Sequence, residues 1–331
     1  MLLALTSDWQ LSEQARYSRR TPEGITTRLS DQVRCIEWTA VEARKRGATA
    51  MAVLGDVFDQ RNAITTSVLD QAGRAFAFIS AQFSGRLCVL VGNHDAPLRA
   101  PTLTSLRVLG GYAKIIDKPV VVDGCAFVPW ADDPDEFRGM IGKVVKRAPI
   151  LCSHVLMQGI VPNGHGLPLE ALRPKAWKGV FLGDVHEPVQ LARNVQYLGA
   201  PMQHHYGDAG GKRGFWLVDT KTAHATFVEN TISPRFHVVT QRKPRGIRAG
   251  DFVRIAVTDV DLQQELAVKI GKITTQVESR PVQEDEYMAR LDVGVDATDR
   301  TLIERYVRLQ LDEPNEGLVE LGVQLLRSAA E

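Results

Sequence analysis

Hydrophobic positions along the first two thirds of the chain follow two alternating spacings. Short runs rich in apolar and β-branched residues, such as Leu2–Leu5 and Ala50–Leu54, predict buried strands. Between and after them, apolar residues recur at steps of three and four over 28–46 and 65–83, which predicts two amphipathic helices. This alternation is typical of an α/β fold in which helices pack in layers against sheets.

Further apolar runs continue this pattern to about residue 230. They predict strands at 87–91, 114–122, 126–128, 150–152, 180–182, 195–198, 215–218 and 225–228. Composition then changes near 233–250, where a basic segment contains Pro and Gly. We therefore divide the chain into a domain over 1–232 and a smaller α+β domain over 233–331. In the smaller domain we expect a strand at 252–257 and helices at 262–270, 301–311 and 317–330.

Composition indicates an ordinary globular protein. Of the 331 residues, 44% are hydrophobic and 24% are charged, which excludes a collagen-like or disordered chain. No run approaches the roughly 20 apolar residues of a membrane helix, and the apolar start is too short for a signal peptide. Cys35, Cys88, Cys125 and Cys152 lack metal-binding spacing. We expect free thiols in a reducing compartment, and hence a cytoplasmic protein without a membrane partner.

The formal net charge of +1 means that any surface for nucleic acid must be a local patch. One candidate is the loop over 14–24, which carries Arg16, Tyr17, Arg19 and Arg20. It either holds DNA phosphates and stacks a base on Tyr17, or is a solvated surface loop. The basic stretch over 235–248 has the same two interpretations. His204 either contacts a substrate phosphate or is an ordinary surface histidine.

Five of the predicted buried strands end in residues that bind metals or phosphates. These ends read Ser7-Asp8-Trp9-Gln10, Gly55-Asp56-Val57-Phe58-Asp59, Gly92-Asn93-His94-Asp95, Ser153-His154 and Gly183-Asp184-Val185-His186. The carboxyl ends of neighbouring strands in an α/β sheet converge on one crevice, so distant segments can share a pocket. Carboxylate, amide and imidazole donors without thiolate suit Mn²⁺, Fe²⁺, Mg²⁺ or Zn²⁺. The pattern therefore predicts a metal centre.

The order of these motifs resembles the calcineurin-like metallophosphoesterases, and within them the SbcD-type DNA nucleases. The resemblance covers about residues 1–230. It is carried by SDWQL, GDVFDQRNA, GNHD, a lone SH, GDVHEPVQ, and YLGAP followed by GKRGFWLVD. It implies a layered β-sandwich core flanked by helices, with a small C-terminal capping domain.

The resemblance also implies two divalent metal ions and the residues that hold them. One ion falls on Asp8, Gln10, Asp56 and His186. The other falls on Asp56, Asn93, His154 and Asp184, with Asp56 bridging both ions. His94 would protonate the leaving oxygen or stabilise charge in the transition state, and Asp95 would orient His94.

Two of these positions depart from the pattern that the resemblance leads us to expect. Gln10 and Asp184 each stand where the family has a histidine. A glutamine carbonyl is a weaker, neutral donor, and an additional aspartate adds negative charge. We expect the site to favour the harder ions Mn²⁺ or Mg²⁺ over Zn²⁺, and the ion beside Gln10 to bind more loosely.

The leading functional hypothesis is a hydrolase that cleaves DNA as an exonuclease or endonuclease by a two-metal mechanism, in DNA repair or recombination. The resemblance would also imply a homodimer and a partner ATPase of the SbcC type, docked through the C-terminal helices. One alternative is a phosphodiesterase of the same fold that acts on small substrates. Another is a non-catalytic scaffold with a degenerate metal site.

Overall fold

The computed structural model describes residues 1–14, 17–97, 103–131, 133–160, 166–240, 245–279, 300, 303–304 and 316–330. Within these residues the chain forms two six-stranded sheets and one three-stranded sheet. The strands are β1 (Leu2–Thr6), β2 (Ala50–Val53), β3 (Leu87–Leu90), β4 (Lys114–Ile116), β5 (Val120–Val122), β6 (Cys125–Val128), β7 (Ile150–His154), β8 (Gly179–Gly183), β9 (Val189–Ala192), β10 (Val195–Tyr197), β11 (Gly214–Asp219), β12 (Ala225–Glu229), β13 (Phe236–Val239), β14 (Phe252–Ile255) and β15 (Gln276–Ser279).

Helices connect or follow these strands. They are α1 (Thr27–Lys45), α2 (Thr66–Gln82), α3 (Pro134–Val144), α4 (Val260–Gly271) and α5 (Glu316–Ala330). Threonines define where the first two begin, because the Thr26 side chain accepts a hydrogen bond from Leu29 N and that of Thr65 accepts one from Val68 N. None of the helices in the described residues is long and apolar enough to cross a lipid bilayer.

The first large sheet has the order β12-β11-β1-β2-β3-β4, and the second has the order β5-β6-β7-β8-β10-β9. In the first, β1 to β4 run parallel, and β11 and β12 continue the sheet antiparallel. In the second, β6, β7, β8 and β10 run parallel. Both sheets therefore present several strand ends at one edge, where connecting loops can share a site.

Apolar side chains fill three layers between these elements. Leu5 and Leu54 of the first sheet pack with Phe127 and Phe181 of the second, which makes the sheets a sandwich. Helices α1 and α2 pack on the outer face of the first sheet, and α3 packs on the outer face of the second. The predicted layered β-sandwich core with flanking helices is confirmed. The four cysteines are free, as predicted, and Cys35, Cys125 and Cys152 are buried.

Several details differ from the sequence prediction. The single strand expected over 114–122 is two strands, β4 and β5, which lie in different sheets. The break falls at 117–119, where Pro119 lacks the N–H that a continuous strand would use. Helix α3 and strands β9, β13 and β15 had not been predicted. The helix expected over 301–311 lies almost entirely outside the described residues.

The third sheet follows the predicted domain boundary, with the parallel order β13-β14-β15 and α4 packed on it. A buried arginine joins it to the core. The Arg28 guanidinium on α1 lies 5.3 Å from the ring centroids of both Phe236 and Phe252, and it donates a hydrogen bond to the Gln203 carbonyl. The third sheet, α1 and the segment after β10 thus meet at one point. The division at residue 232 stays a prediction.

Candidate metal centre

The predicted ligands lie where the two large sheets meet at their shared edge. Asp8 and Asp56 follow β1 and β2 of the first sheet, whereas His154 ends β7 of the second and Asp184 follows β8. One ligand atom from each of Asp8, Asp56 and His154 lies within 4.8 Å of the other two, and all three residues are buried. The structure therefore brings together residues nearly 150 positions apart in sequence, as the strand-end pattern predicted.

Backbone conformation at these positions is unusual. Asp8, Gln10, Asp56 and Asp184 have φ values of 55°, 51°, 54° and 98°. Residues with a Cβ avoid this left-handed region, and each such residue costs about 1–3 kcal/mol unless its surroundings compensate for it. Outliers of this kind cluster at functional sites, so their concentration at four predicted ligands supports a functional role for the cluster.

Hydrogen bonds fix the tautomer of His154. Its Nδ1 lies 2.6 Å from the Leu54 carbonyl, which can only accept, so Nδ1 carries the proton. The lone pair on Nε2 then points toward two carboxylates, with Asp56 Oδ1 at 3.3 Å and Asp184 Oδ1 at 3.5 Å. Acceptor atoms thus face one another across a buried space. Either a proton on Nε2 or a cation between these atoms resolves the repulsion.

The ionisation behaviour of the cluster agrees with this geometry. Burial raises the pKa of Asp8 and raises the pKa of Asp56 well above its ordinary value, although His154 opposes both shifts. Burial alone would lower the pKa of His154, but the nearby carboxylates of Asp56 and Asp184 outweigh it and raise that pKa well above its usual range. Without a cation the cluster therefore retains protons, and a divalent ion would replace them.

Two amide side chains complete the surroundings. Asn93 Oδ1 lies 2.9 Å from His154 Nε2, and the opposite end of the amide lies 3.1 Å from the Arg61 guanidinium. With the amide rotated by half a turn, its nitrogen would donate to Asp56 and Asp184. A cation in the cluster would instead require the orientation in which the amide oxygen points inward. Gln10 Nε2 donates to Asp56 Oδ2 at 3.2 Å, so the Gln10 amide reaches the same carboxylate.

The donor set fits a divalent cation. Carboxylate oxygens, an imidazole lone pair and the amide oxygen of Asn93 converge, which is the chemistry that Mn²⁺, Mg²⁺ or Zn²⁺ requires. The individual assignments of Asp8, Gln10, Asp56, Asn93, His154, Asp184 and His186 as metal ligands stay predictions.

Asp95 lies in a different place from the one we expected. We predicted that it orients the His94 ring. Instead its buried carboxylate accepts hydrogen bonds from the backbone N–H groups of Asp56, Val57, Phe58 and Gly92. Asp95 therefore ties the loop after β2 to the loop after β3, and it acts on the backbone that carries Asp56.

The His94 ring is oriented by a group that sequence reasoning did not single out for this role. Its Nδ1 donates to the backbone carbonyl of Asp59, which leaves Nε2 as the nitrogen free for substrate. The His94 backbone N–H donates to Asp56 Oδ1 at 3.0 Å, so the ring is anchored directly beside the cluster.

His186 reaches the site from the loop after β8 and meets a partner that had not been predicted. Its Nδ1 lies 3.6 Å from Asp208 Oδ1. Burial alone would lower the His186 pKa, but Asp208, followed by Asp8 and Asp56, raises it. Ligand atoms of His186, His205 and Asp208 also lie within 4.8 Å of one another, which forms a second group of metal-binding type next to the first.

The predicted DNA-binding residues have varied environments. His204 is 3% exposed and its Nε2 donates to the Asp8 carbonyl, which is at odds with the expected contact to a phosphate. Tyr17 packs edge-on against Tyr206, Phe236 and Phe252 rather than standing free to stack a base.

Two of the predicted arginines do lie on the surface. Arg19 and Arg20 are exposed, with Arg19 Nη2 donating to Thr275 Oγ1 and Arg20 Nη1 donating to the Gly24 carbonyl. Arg19 could reach a phosphate by giving up this one neutral hydrogen bond, whereas Arg20 also faces the Glu13 carboxylate at 3.8 Å. Arg16 lies outside the described residues.

Sequence reasoning missed Arg61 and Asp208. Arg61 lies within the GDVFDQRNA segment that marked the site, but it follows the strand end by several residues, so spacing gave no signal. Asp208 comes from the short helical turn Tyr206–Asp208, which no strand-end pattern reaches. Both residues reach the site only through the three-dimensional fold, which the strand-end pattern does not describe.

A two-sheet sandwich with this carboxylate and histidine cluster at its shared strand ends is the arrangement that the resemblance to calcineurin-like metallophosphoesterases, a class of metal-dependent hydrolases, led us to expect. The chain is 29% identical over 321 residues to "Exonuclease subunit 1" of Enterobacteria phage T4, in an alignment covering 87% of this chain and 90% of that protein. This similarity confirms the family resemblance that the motifs predicted. The chain matches no family model.

Solved structures show weaker similarity. A dimetal phosphatase from Danio rerio is 11% identical, with a TM-score of 0.39 over 66% of this chain and 91% of that chain. The nuclease MPE from Pseudomonas putida is 14% identical, with a TM-score of 0.31 over 68% of this chain and 87% of that chain. We assign no residue of this chain from either structure.

The close approach of the strand ends predicts that Gly92→Ala disrupts the centre. A Cβ at Gly92 would press on the backbone N and carboxylate of Asp56. We expect the free energy of unfolding to fall by about 1–3 kcal/mol and binding of Mn²⁺ to weaken, as measured by denaturant titration and calorimetry. Gly73→Ala is the matched control, because a Cβ there meets open space within α2 and should raise stability by about 0.5–1 kcal/mol. Equal effects at both positions would contradict the prediction.

Proposed function

We propose that this chain is a metal-dependent nuclease that hydrolyses phosphodiester bonds of DNA, as an exonuclease or endonuclease of the SbcD type. The observation that carries the proposal is the group of facing lone pairs on buried Asp8, Asp56 and His154 and partly buried Asp184. The exonuclease subunit to which the chain is similar supports DNA as the substrate.

The residues around the centre have separable tasks. When bound, two divalent ions would lower the pKa of a water molecule and neutralise charge on the phosphate. His94 leaves Nε2 for the substrate because its Nδ1 donates to the Asp59 carbonyl, and from the ring protonated on both nitrogens the Nε2 proton would pass to the leaving oxygen. Asp95 keeps Asp56 in place by accepting its backbone N–H at 2.8 Å. No serine or cysteine nucleophile is required.

Other parts of the proposal extend beyond the centre. The relative is described as a subunit, which supports a partner protein, and we propose an ATPase of the SbcC type together with homodimerisation. Leu318 and Leu321 on α5 are exposed apolar side chains that suit such a contact. The free, largely buried cysteines favour a cytoplasmic setting, and DNA repair or recombination is the matching process.

Substrate phosphates have three candidate partners among the described arginines. Arg61 lies beside Asn93 at the centre, and Arg19 and Arg20 are exposed on the loop before α1. Guanidinium groups bind phosphate oxygens in a bidentate manner, so these positions are suited to the DNA backbone.

The assignment of His94 predicts that His94→Ala lowers Mn²⁺-dependent degradation of linear DNA by a factor of about 10²–10⁴. Calorimetry should show Mn²⁺ binding unchanged, because the contact of residue 94 with Asp56 runs through its backbone N–H. His224→Ala, in an exposed turn, is the control and should retain full activity. If the wild type turns over bis-p-nitrophenyl phosphate but leaves DNA intact, the small-substrate phosphodiesterase is correct. If it binds Mn²⁺ yet cleaves neither, the chain is a scaffold.

The phosphate contacts predict a change in salt dependence. Separate Arg19→Gln, Arg20→Gln and Arg61→Gln variants should each reduce the slope of log affinity against log salt by about one for DNA binding. Fluorescence anisotropy at several salt concentrations would measure it. Arg138→Gln changes an exposed side chain of α3, on the outer face of the second sheet, and should leave the slope unchanged. Slopes equal to that of the wild type in all variants would place the DNA elsewhere.

The neutral Gln10 amide predicts a bias of the centre toward harder ions. We expect the wild type to bind two Mn²⁺ ions, one of them more loosely, and Gln10→His to raise the ratio of Zn²⁺ to Mn²⁺ affinity at the looser position by about tenfold. Competition calorimetry would measure this ratio. Gln190→His, which adds an exposed imidazole on β9, is the control. Two equally tight Zn²⁺ ions in the wild type would rule out the proposed bias.

A further inference from the structure

We infer that Asp208 is a positioning residue for the metal centre, and that the turn from His204 to Asp208 holds two ligands of one ion. Asp208 faces Nδ1 of His186 at 3.6 Å, which would leave Nε2 for the cation. His204 holds the backbone of Asp8. The inference rests on the metal site of the proposed function and assigns residues that the family resemblance did not supply.

Three contacts fix the Asp208 carboxylate. Its Oδ1 lies 3.6 Å from His186 Nδ1 and 3.5 Å from Arg213 Nη2, and its Oδ2 accepts the His204 backbone N–H at 2.7 Å. The side chains of Asp208 and Arg213 are 6% and 5% exposed. A carboxylate held on both oxygens in a buried setting can keep a neighbouring imidazole in one orientation.

His204 acts on the second ligand through the backbone. Its Nε2 donates to the Asp8 carbonyl at 3.0 Å, and its own N–H is held by Asp208. Asp8 has a φ of 55°, a conformation that its surroundings must maintain. One short turn therefore supports Asp8 and His186 together, across more than 170 positions of sequence.

These two residues belong to the same predicted ion, which gives the turn a specific importance. The predicted set for that ion is Asp8, Gln10, Asp56 and His186, so His186 supplies its single imidazole. A carboxylate behind a metal-binding histidine fixes the tautomer and raises the basicity of the ligating nitrogen. With a neutral amide at Gln10, the ion depends more heavily on that nitrogen.

The same residues could instead bind a cation directly, because ligand atoms of His186, His205 and Asp208 lie within 4.8 Å of one another. Two contacts favour the positioning role. The Arg213 guanidinium already faces Asp208 and would repel a cation there. The Nδ1 of exposed His205 also accepts a hydrogen bond from Gly207 N, which leaves that ring outside the contacts that hold Asp208.

Calorimetric titration with Mn²⁺ alone tests the inference in the full chain. Asp208→Asn preserves shape and an acceptor for His204 N–H but removes the charge behind His186. We expect one of the two ions to bind on the order of 10–100-fold more weakly and the other to keep its affinity. Asp70→Asn, an exposed aspartate of α2, and His205→Ala should both leave the two affinities unchanged.

Other outcomes would overturn the inference. Unchanged Mn²⁺ affinities in Asp208→Asn would show that Asp208 does not support the ion. Loss of the same ion in both Asp208→Asn and His205→Ala would show that these two residues bind it directly. Nitrogen NMR of the His186 ring in the wild type provides a test that needs no variant, since a proton on Nε2 rather than Nδ1 would contradict the assignment. A wild type that binds two ions but leaves DNA intact would contradict only the proposed nuclease function, and the inference about Asp208 would still hold.

Discussion

Mutual repulsion between carboxylates buried in an apolar sandwich is the interaction on which the rest of this structure depends. Asp8, Asp56 and Asp95 are each at most 2% exposed, and burial raises the pKa of all three. A fold tolerates such a group only where other atoms compensate for it. Backbone N–H groups do so for Asp95, whereas Asp56 faces the Nε2 lone pair of His154, for which a cation would compensate. The loops, the left-handed backbone and the glycines at the strand ends serve to keep those acceptors together.

Much of the core could be predicted from sequence because the residues that signal each strand and each ligand are adjacent in the chain. An apolar run followed at once by Asp, Asn or His marks both a strand and a ligand, and this signal located Asp8, Asp56, Asn93, His154 and Asp184. The elements that escaped prediction lack such a signal. Strand β9 is short and half-exposed, and the segment at 114–122 reads as one apolar run although Pro119 divides it between two sheets. The resemblance implied that Asp95 orients His94, but its carboxylate turns toward backbone amides. Neither interpretation of His204, a phosphate contact or a surface histidine, placed it in the interior, because nothing in its neighbourhood shows that the turn folds back onto Asp8.

The segment after β10 links parts of the molecule that are distant in sequence. Gln203 accepts the Phe236 N–H through its side chain and the Arg28 guanidinium through its carbonyl, and the next residue contacts Asp8. The third sheet, α1 and the metal centre are therefore joined within two residues. Because Arg28 is stacked against both Phe236 and Phe252, displacing the third sheet would disturb the packing on which this segment rests. The C-terminal region is thus physically coupled to the centre whether or not it contacts substrate.

The position of the centre across the seam of the sandwich has a thermodynamic consequence. Two of its carboxylates come from one sheet, while the third and the imidazole of His154 come from the other. An ion held among them would therefore connect the two sheets of the core. Any ligand that binds the native chain and not the unfolded one adds RT ln(1 + [L]/Kd) to stability, which is about 2.7 kcal/mol at a hundredfold excess over Kd. The melting temperature of this chain should then rise with the concentration of free ion. Chelation would remove both the stabilising link between the sheets and the hydrolytic activity.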